Sequence, residues 1–194
     1  MMCPRLKYNK VRFASHEEGI AAVEFALMLP IMLALFVGVT QVGEAVSISH
    51  KVTVTARTIT DLVTRENSPL AQSELTSDLQ AAAQVMAPYP STTLNVTVSE
   101  ITTNSSGVAT VLWSSSWPNT NNALTAGSTF TLPTSLAGAN VTVIYGQVTY
   151  GYTPVIGYNI IQPITLSDNI YLYPRTGACI AGPNAATYPC PPAP

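Results

Sequence analysis

The sequence predicts an α+β protein: a long N-terminal transmembrane and stalk helix, then a small head with an antiparallel sheet of about four strands. Three observations predict it. One apolar segment, Ile20 to Val42, lies near the N-terminus, and the following stretch from Glu44 to Ser68 contains neither Gly nor Pro. Strand-like alternation is confined to the C-terminal half. Charged residues make up only 9% of the chain, and from Ile101 to Ser167 there is no Asp, Glu, Lys, Arg or His.

The apolar segment comes first. Crossing a bilayer takes about 20 mostly apolar helical residues, and Ile20–Val42 supplies 23. Only Glu24, Thr40 and Gln41 within it are strongly polar. Arg5, Lys7, Lys10 and Arg12 precede it, while the 176 residues after Glu18 hold only Lys51, Arg57, Arg65 and Arg175. That asymmetry predicts a cytoplasmic basic leader over 1–19 and an exported remainder, by the positive-inside rule. It also argues against nucleic-acid binding, which needs a basic stripe to displace counterions from phosphates.

Three fates compete for this segment. It can be a secretory signal peptide, with Gly43-Glu44-Ala45 passing as a small-x-small cleavage site. It can be a plain anchor. It can be a segment whose leader is cut off before the apolar run, so that the helix is kept. Glu24 favours the third. A carboxylate costs about 2.5–3.5 kcal/mol at a helix centre on insertion scales, and a signal peptide gains nothing from it. Cleavage after Gly19 makes Ile20 the N-terminus, with an α-amino group that is largely cationic at neutral pH. Glu24 is then the fifth residue, about one helical turn away, and pairing offsets part of the desolvation cost. The bland alternative is a glutamate that snorkels to the interface. Pro30 lies mid-helix and should bend it, because it removes a backbone hydrogen bond. Ala22 and Ala26 form a small-xxx-small pair, or simply suit a helix.

The run Glu18-Gly19-Ile20-Ala21-Ala22-Val23-Glu24-Phe25-Ala26-Leu27, with Leu29-Pro30 after it, resembles the prepilin-peptidase motif of the TadE-like family of Flp/Tad pilus assembly: Gly at −1, Glu at +5, an aromatic at +6. The resemblance covers about residues 15–65. It implies a minor pilin or pseudopilin of a tight-adherence pilus system, acting in pilus assembly and surface adhesion. Prepilin peptidase would cut between Gly19 and Ile20, and Glu24 and Phe25 would serve helix–helix assembly. The implied partners are the bacterial inner membrane, prepilin peptidase, other pilins and the Tad secretion machinery. The head would be periplasmic, with the possibility of incorporation into a pilus. A signal-anchored binding protein or adhesin that never enters a filament is the competing expectation.

Beyond the span (20–43), apolar residues recur at Ala45, Ile48, Val52, Ala56, Ile59 and Val63. These steps of three and four make one helical face, so a single helix is expected from about Ile20 to Glu66, its extension occupying 44–68. The face can pack on the protein's own head or on partner helices, the head being favoured. This anchor-plus-head layout is pilin-like. The head, 69–176, opens with a second helix, Leu70 to Met86, with Ser68 as cap and Pro69 at its first position. Strands are expected at Thr93–Glu100, Gly107–Ser114, Asn140–Gly151 and Ile164–Pro174. The first two should form a hairpin through Asn104-Ser105-Ser106-Gly107, and a helical turn is expected at Val155–Ile161. Ser115–Ala139 reads as loop. A last strand ending near Tyr173 and Arg175 after a Thr-Pro connection is similar to TadE-like heads.

Cys3 stands alone in the leader, while Cys179 and Cys190 lie in a Pro/Gly-rich tail, 177–194. They are either two unrelated thiols or a disulfide, which an oxidising compartment favours. No catalytic residue, metal site or cofactor is expected. The head has no histidine after His50, no Gly-rich phosphate loop and no run of ligating carboxylates. Glu100 and Asp168 are expected to be solvated strand-end carboxylates. Tyr145, Tyr150 and Tyr171 are expected in the core, and Trp117, beside Pro118, as an exposed contact residue.

Overall fold

The computed structural model describes residues 17–154, 163–183 and 190. The basic leader residues, Cys3 and the helical turn expected at Val155–Ile161 lie outside the described residues. Two compact units divide the chain, one ending at Val42 and the other starting at Gly43.

In the first unit, helix α1 begins at Glu17; its whole extent is Glu17–Thr64, with Pro30 inside it. The apolar side chains of this unit are exposed: Ile20, Phe25, Leu35, Phe36 and Val39 among them. Helix formation here follows from composition, since Ala, Leu and Met are strong helix formers and the β-branched residues before Val37 are dispersed.

In the second unit, α1 residues from Ile48 onward pack into an α+β head. Helix α2 spans Gln72–Met86. The strands are β1 (Leu94–Thr103), β2 (Ala109–Trp117), β3 (Thr129–Phe130), β4 (Thr142–Tyr152) and β5 (Ile164–Leu172). The sheet order is β3-β2-β1-β4-β5, and every pairing is antiparallel. The sheet therefore has five strands rather than about four. The extra one is the two-residue β3, inside the stretch read as loop, where Ala109 and Thr110 pair with Phe130 and Thr129. The end of β2 also reaches into that stretch.

The helical face read from spacing is buried from Ile48 on, where Ile48, Val52, Ala56, Ile59 and Val63 are at most 2% exposed, and Ala45 is partly buried. They pack with Leu75, Leu79, Ala82 and Met86 of α2 and with Leu94, Val96, Val98, Ile144, Val148 and Tyr150 of the sheet. Burying each such aliphatic side chain stabilises the head by about 1.5–3 kcal/mol. The opposite face of the sheet carries a second, smaller core. Ile101, Ala109, Val143 and Tyr145 are joined there by Leu132, with Phe130 and Tyr171 packed against them. A β-bulge between Glu100 and Ile101 re-registers β1 on β2. Tyr145 and Tyr150 are core residues, as expected, but on opposite faces. Tyr171 is half-buried, its ring 5.1 Å from that of Tyr145.

The hairpin turn forms where the sequence placed it. Gly107 has φ +78°, a conformation that favours glycine. The Asn104 side-chain carbonyl accepts from the Ser106 and Val108 amides, both at 2.9 Å. The expected cap of α2 does not form. The helix starts two residues after Leu70, and the Glu74 carboxylate accepts from the Ala71 amide at 3.2 Å. Ser68 Oγ instead accepts from the Ala181 amide at 2.9 Å. A tail strand of chain, which no local pattern announces, took the hydroxyl.

Candidate functional site

The residues that carry the predicted processing and assembly chemistry all lie on α1 in the first unit. Gly19 and Ile20 are helical and exposed, and a Cβ built on Gly19 would meet no atom within 4 Å. Glu24 is exposed and lies four residues after Ile20, about 6 Å along the helix axis. Phe25 is 61% exposed beside it. Pro30 is exposed six residues further on. The geometry therefore places Glu24 about one turn from Ile20, inside a surface otherwise covered by alkyl and aromatic side chains. A carboxylate in such a surface needs a cation or water. Gly38 is flanked by Ala34, Leu35, Val39 and Val42 around a shallow apolar depression.

The head contains a second polar assembly that the sequence reading did not find. Glu100 is fully buried and is not a solvated strand-end carboxylate. Trp113 Nε1 donates to Glu100 Oε2 at 2.6 Å and to the Ile180 carbonyl at 2.8 Å. The Ile180 amide donates to Glu100 Oε1 at 2.8 Å. Burial pushes the Glu100 carboxyl up to about 7 against these two hydrogen bonds, which pull it down. Asp168 is half-buried on β5 opposite Val148, four residues along β4 from Ile144, the partner of Glu100. The two acids do not meet.

The same tail segment is fastened at several points. The Arg175 amide donates to the Thr64 carbonyl at 2.9 Å, and Thr176 Oγ1 to the Glu66 carbonyl at 2.5 Å. These bonds satisfy carbonyls at the C-terminal end of α1, which has no basic residue in its last turn. Asp61 bridges Arg65 and Arg175, each at 2.5 Å. Gly182 lies on the Trp113 indole, where a Cβ would come within 2.3 Å of the ring. Cys179 and Cys190 form a disulfide with Cα atoms 5.8 Å apart. Trp117 is not an exposed loop contact: it ends β2, pairs with Val96 and packs against the main core. On α2, burial and the neighbouring Glu66 and Glu74 push Asp78 up to about 6.

Among the described residues no cluster of three or more His, Cys, Asp or Glu could hold a metal. The described helix is long and apolar enough to cross a membrane, and its apolar window is not buried. A helix of this kind leading into an α+β head is compatible with a single-pass membrane protein. The family model described as TadE-like protein matches residues 19–60, the stretch that starts at Gly19 and takes in Glu24, Phe25 and Pro30. That segment is similar to TadE-like proteins, a family whose name implies membrane association with Tad pilus machinery. No curated protein and no solved structure matches the chain.

Proposed function

We propose that the chain is a minor pilin or pseudopilin of a tight-adherence pilus system. A prepilin peptidase cuts after Gly19 on the cytoplasmic side, the helix from Ile20 stays in the bacterial inner membrane, and the head faces the periplasm. Glu24 then meets an N-terminal amine, its own or a neighbouring pilin's, as helices assemble. The head initiates, caps or decorates the pilus and contributes to adhesion; it does no catalysis. The observation that carries this reading is a lone carboxylate, five residues after a glycine, on an exposed apolar helix within the TadE-like segment. The basic residues ahead of the span support the orientation.

N-terminal sequencing of the mature chain tests it. Ile20 is expected. Val46 would mark a secreted protein and Met1 an uncut anchor, and either would sink the proposal. Gly19→Ala should accumulate an unprocessed precursor of lower gel mobility. Because a methyl group at that position touches nothing, the effect reads peptidase recognition rather than folding.

A further inference from the structure

One carboxylate of the head, that of Glu44, lines an aromatic hollow, and among the described residues no Lys or Arg pairs with it. Glu44 lies two residues beyond Val42, the last residue of the apolar run. Within the second unit it lines a cavity of about 280 Å³, with Ile48, Tyr89, Tyr150 and Tyr152 among the other walls. Ile48, Tyr150 and Tyr152 are buried and Tyr89 half-buried. The Tyr152 hydroxyl donates to Glu44 Oε2 at 3.2 Å, and the Tyr89 hydroxyl donates to Ser47 Oγ at 3.0 Å. Among the described residues both ion pairs are made by Asp61, and Lys51 donates to the Val85 carbonyl. The carboxylate thus has a phenol against it but neither an ammonium nor a guanidinium.

We propose that this hollow binds the primary ammonium headgroup of a membrane phospholipid. A carboxylate bordered by tyrosine rings is the chemistry of a cation site, combining full charge with aromatic quadrupoles. The acceptors, Glu44 and the tyrosine and threonine oxygens around it, suit a cation that carries N–H donors better than a quaternary one. The source follows from position in the chain. In the sequence Glu44 is the second residue past the apolar run that ends at Val42, the place where a segment spanning through Val42 meets the headgroups and where tyrosines are enriched. The proposal rests on the reading of α1 as membrane-spanning.

The test uses the full chain reconstituted into nanodiscs containing equal amounts of ethanolamine, choline and glycerol phospholipids. Native mass spectrometry then counts the lipids retained after transfer to detergent. The wild-type chain is expected to retain the ethanolamine lipid about fivefold over either of the others, the ratio that a contact of this kind gives. Glu44→Gln should bring the ratio to parity. Tyr152→Phe, which keeps the ring and removes the hydroxyl, should lower it less. Glu74→Gln, on the exposed face of α2, should leave it unchanged. Insertion without ethanolamine preference overturns the proposal, as does a preference that survives Glu44→Gln or an equal retention of choline lipid. Failure to enter the discs at all would instead sink the spanning reading on which the site depends.

Discussion

Trp113 and Glu100 face each other across the β1–β2 pair, and the indole N–H donates to the buried carboxylate at 2.6 Å. The pair is shared with the tail: Ile180 gives its amide to the same carboxylate and its carbonyl to the same indole. Two strands and a distant segment are thus closed into one buried ring of hydrogen bonds.

The carboxyl of Glu100 makes head stability depend on pH. Its ordinary value is 4.5 and burial raises it to about 7, so between those values the folded head binds more protons than the unfolded chain. Stability is therefore full below about pH 4.5 and falls as pH rises through 7, by about 3 kcal/mol in all. Asp78, raised to about 6, adds a smaller change of the same sign. Urea denaturation of the detergent-solubilised chain, followed by tryptophan fluorescence at about pH 5 and about pH 8, should show this loss. Glu100→Gln should remove most of it, and Glu100→Ala should cost about 1–3 kcal/mol at the lower pH, by leaving the Ile180 amide unsatisfied. Equal pH dependence in wild type and Glu100→Gln would contradict the assignment.

Helix α1 packs tightly on the sheet at Gly146, where a Cβ would come within 1.8 Å of Thr60 Oγ1 and 3.0 Å of Thr60 Cβ. Thr60 is fully buried, and its hydroxyl donates to the Ala56 carbonyl at 2.6 Å. Gly146→Ala is expected to destabilise the head by about 3 kcal/mol, at the upper end of overpacking effects. Thr60→Ala removes the colliding oxygen and should cost about 1 kcal/mol by itself, for the lost hydrogen bond. The double variant should then be more stable than Gly146→Ala alone, a coupling that a double-mutant cycle measures directly. Simple additivity would show that the two residues do not touch.

These two contacts mark what the sequence could and could not disclose. The buried face of α1 was legible because Ile48, Val52, Ala56, Ile59 and Val63 recur at helical spacing, and a period survives without knowledge of the partner. The hairpin was legible because Asn104 and Gly107 have local reasons to turn. Glu100 was not, although a signal existed: it continues the inward series Leu94, Val96, Val98 at every second residue. Its chemistry argued for water, and only the distant Trp113 and Ile180 make burial tolerable. The two-residue β3 is too short for any period. The cap expected at Ser68 failed for the same reason as Glu100, since the residue that claimed it, Ala181, lies far along the chain.

The disulfide should contribute through the tail it closes. Cys179 and Cys190 are 11 residues apart, and cross-linking a loop of that length removes about 3 kcal/mol of unfolded-state entropy. Cys179 adjoins Ile180, which is fully buried, so the effect should reach the head. Paired Cys179→Ser and Cys190→Ser substitutions should lower the urea midpoint accordingly, and treatment of the wild type with reductant should reproduce the shift. No shift on reduction would mean that the tail is held by its hydrogen bonds alone.

Glu24 sets two energies against each other, and substituting it separates them. As a lone acid in an apolar span it opposes insertion by about 2.5–3.5 kcal/mol. Once an amine faces it, removing the acid leaves a buried cation unpaired, at about 3–5 kcal/mol. Glu24→Gln should therefore insert at least as well as the wild type and still be processed at Gly19, yet co-assemble with pilins at least about tenfold less. Glu24→Asp should retain part of the assembly. The measurement is the fraction of chain cross-linked to pilins in sheared and membrane fractions, with the mature N-terminus checked in each. A Gln variant that assembles like the wild type would leave the carboxylate without an electrostatic role, and the match over residues 19–60 as the only support for the pilin reading.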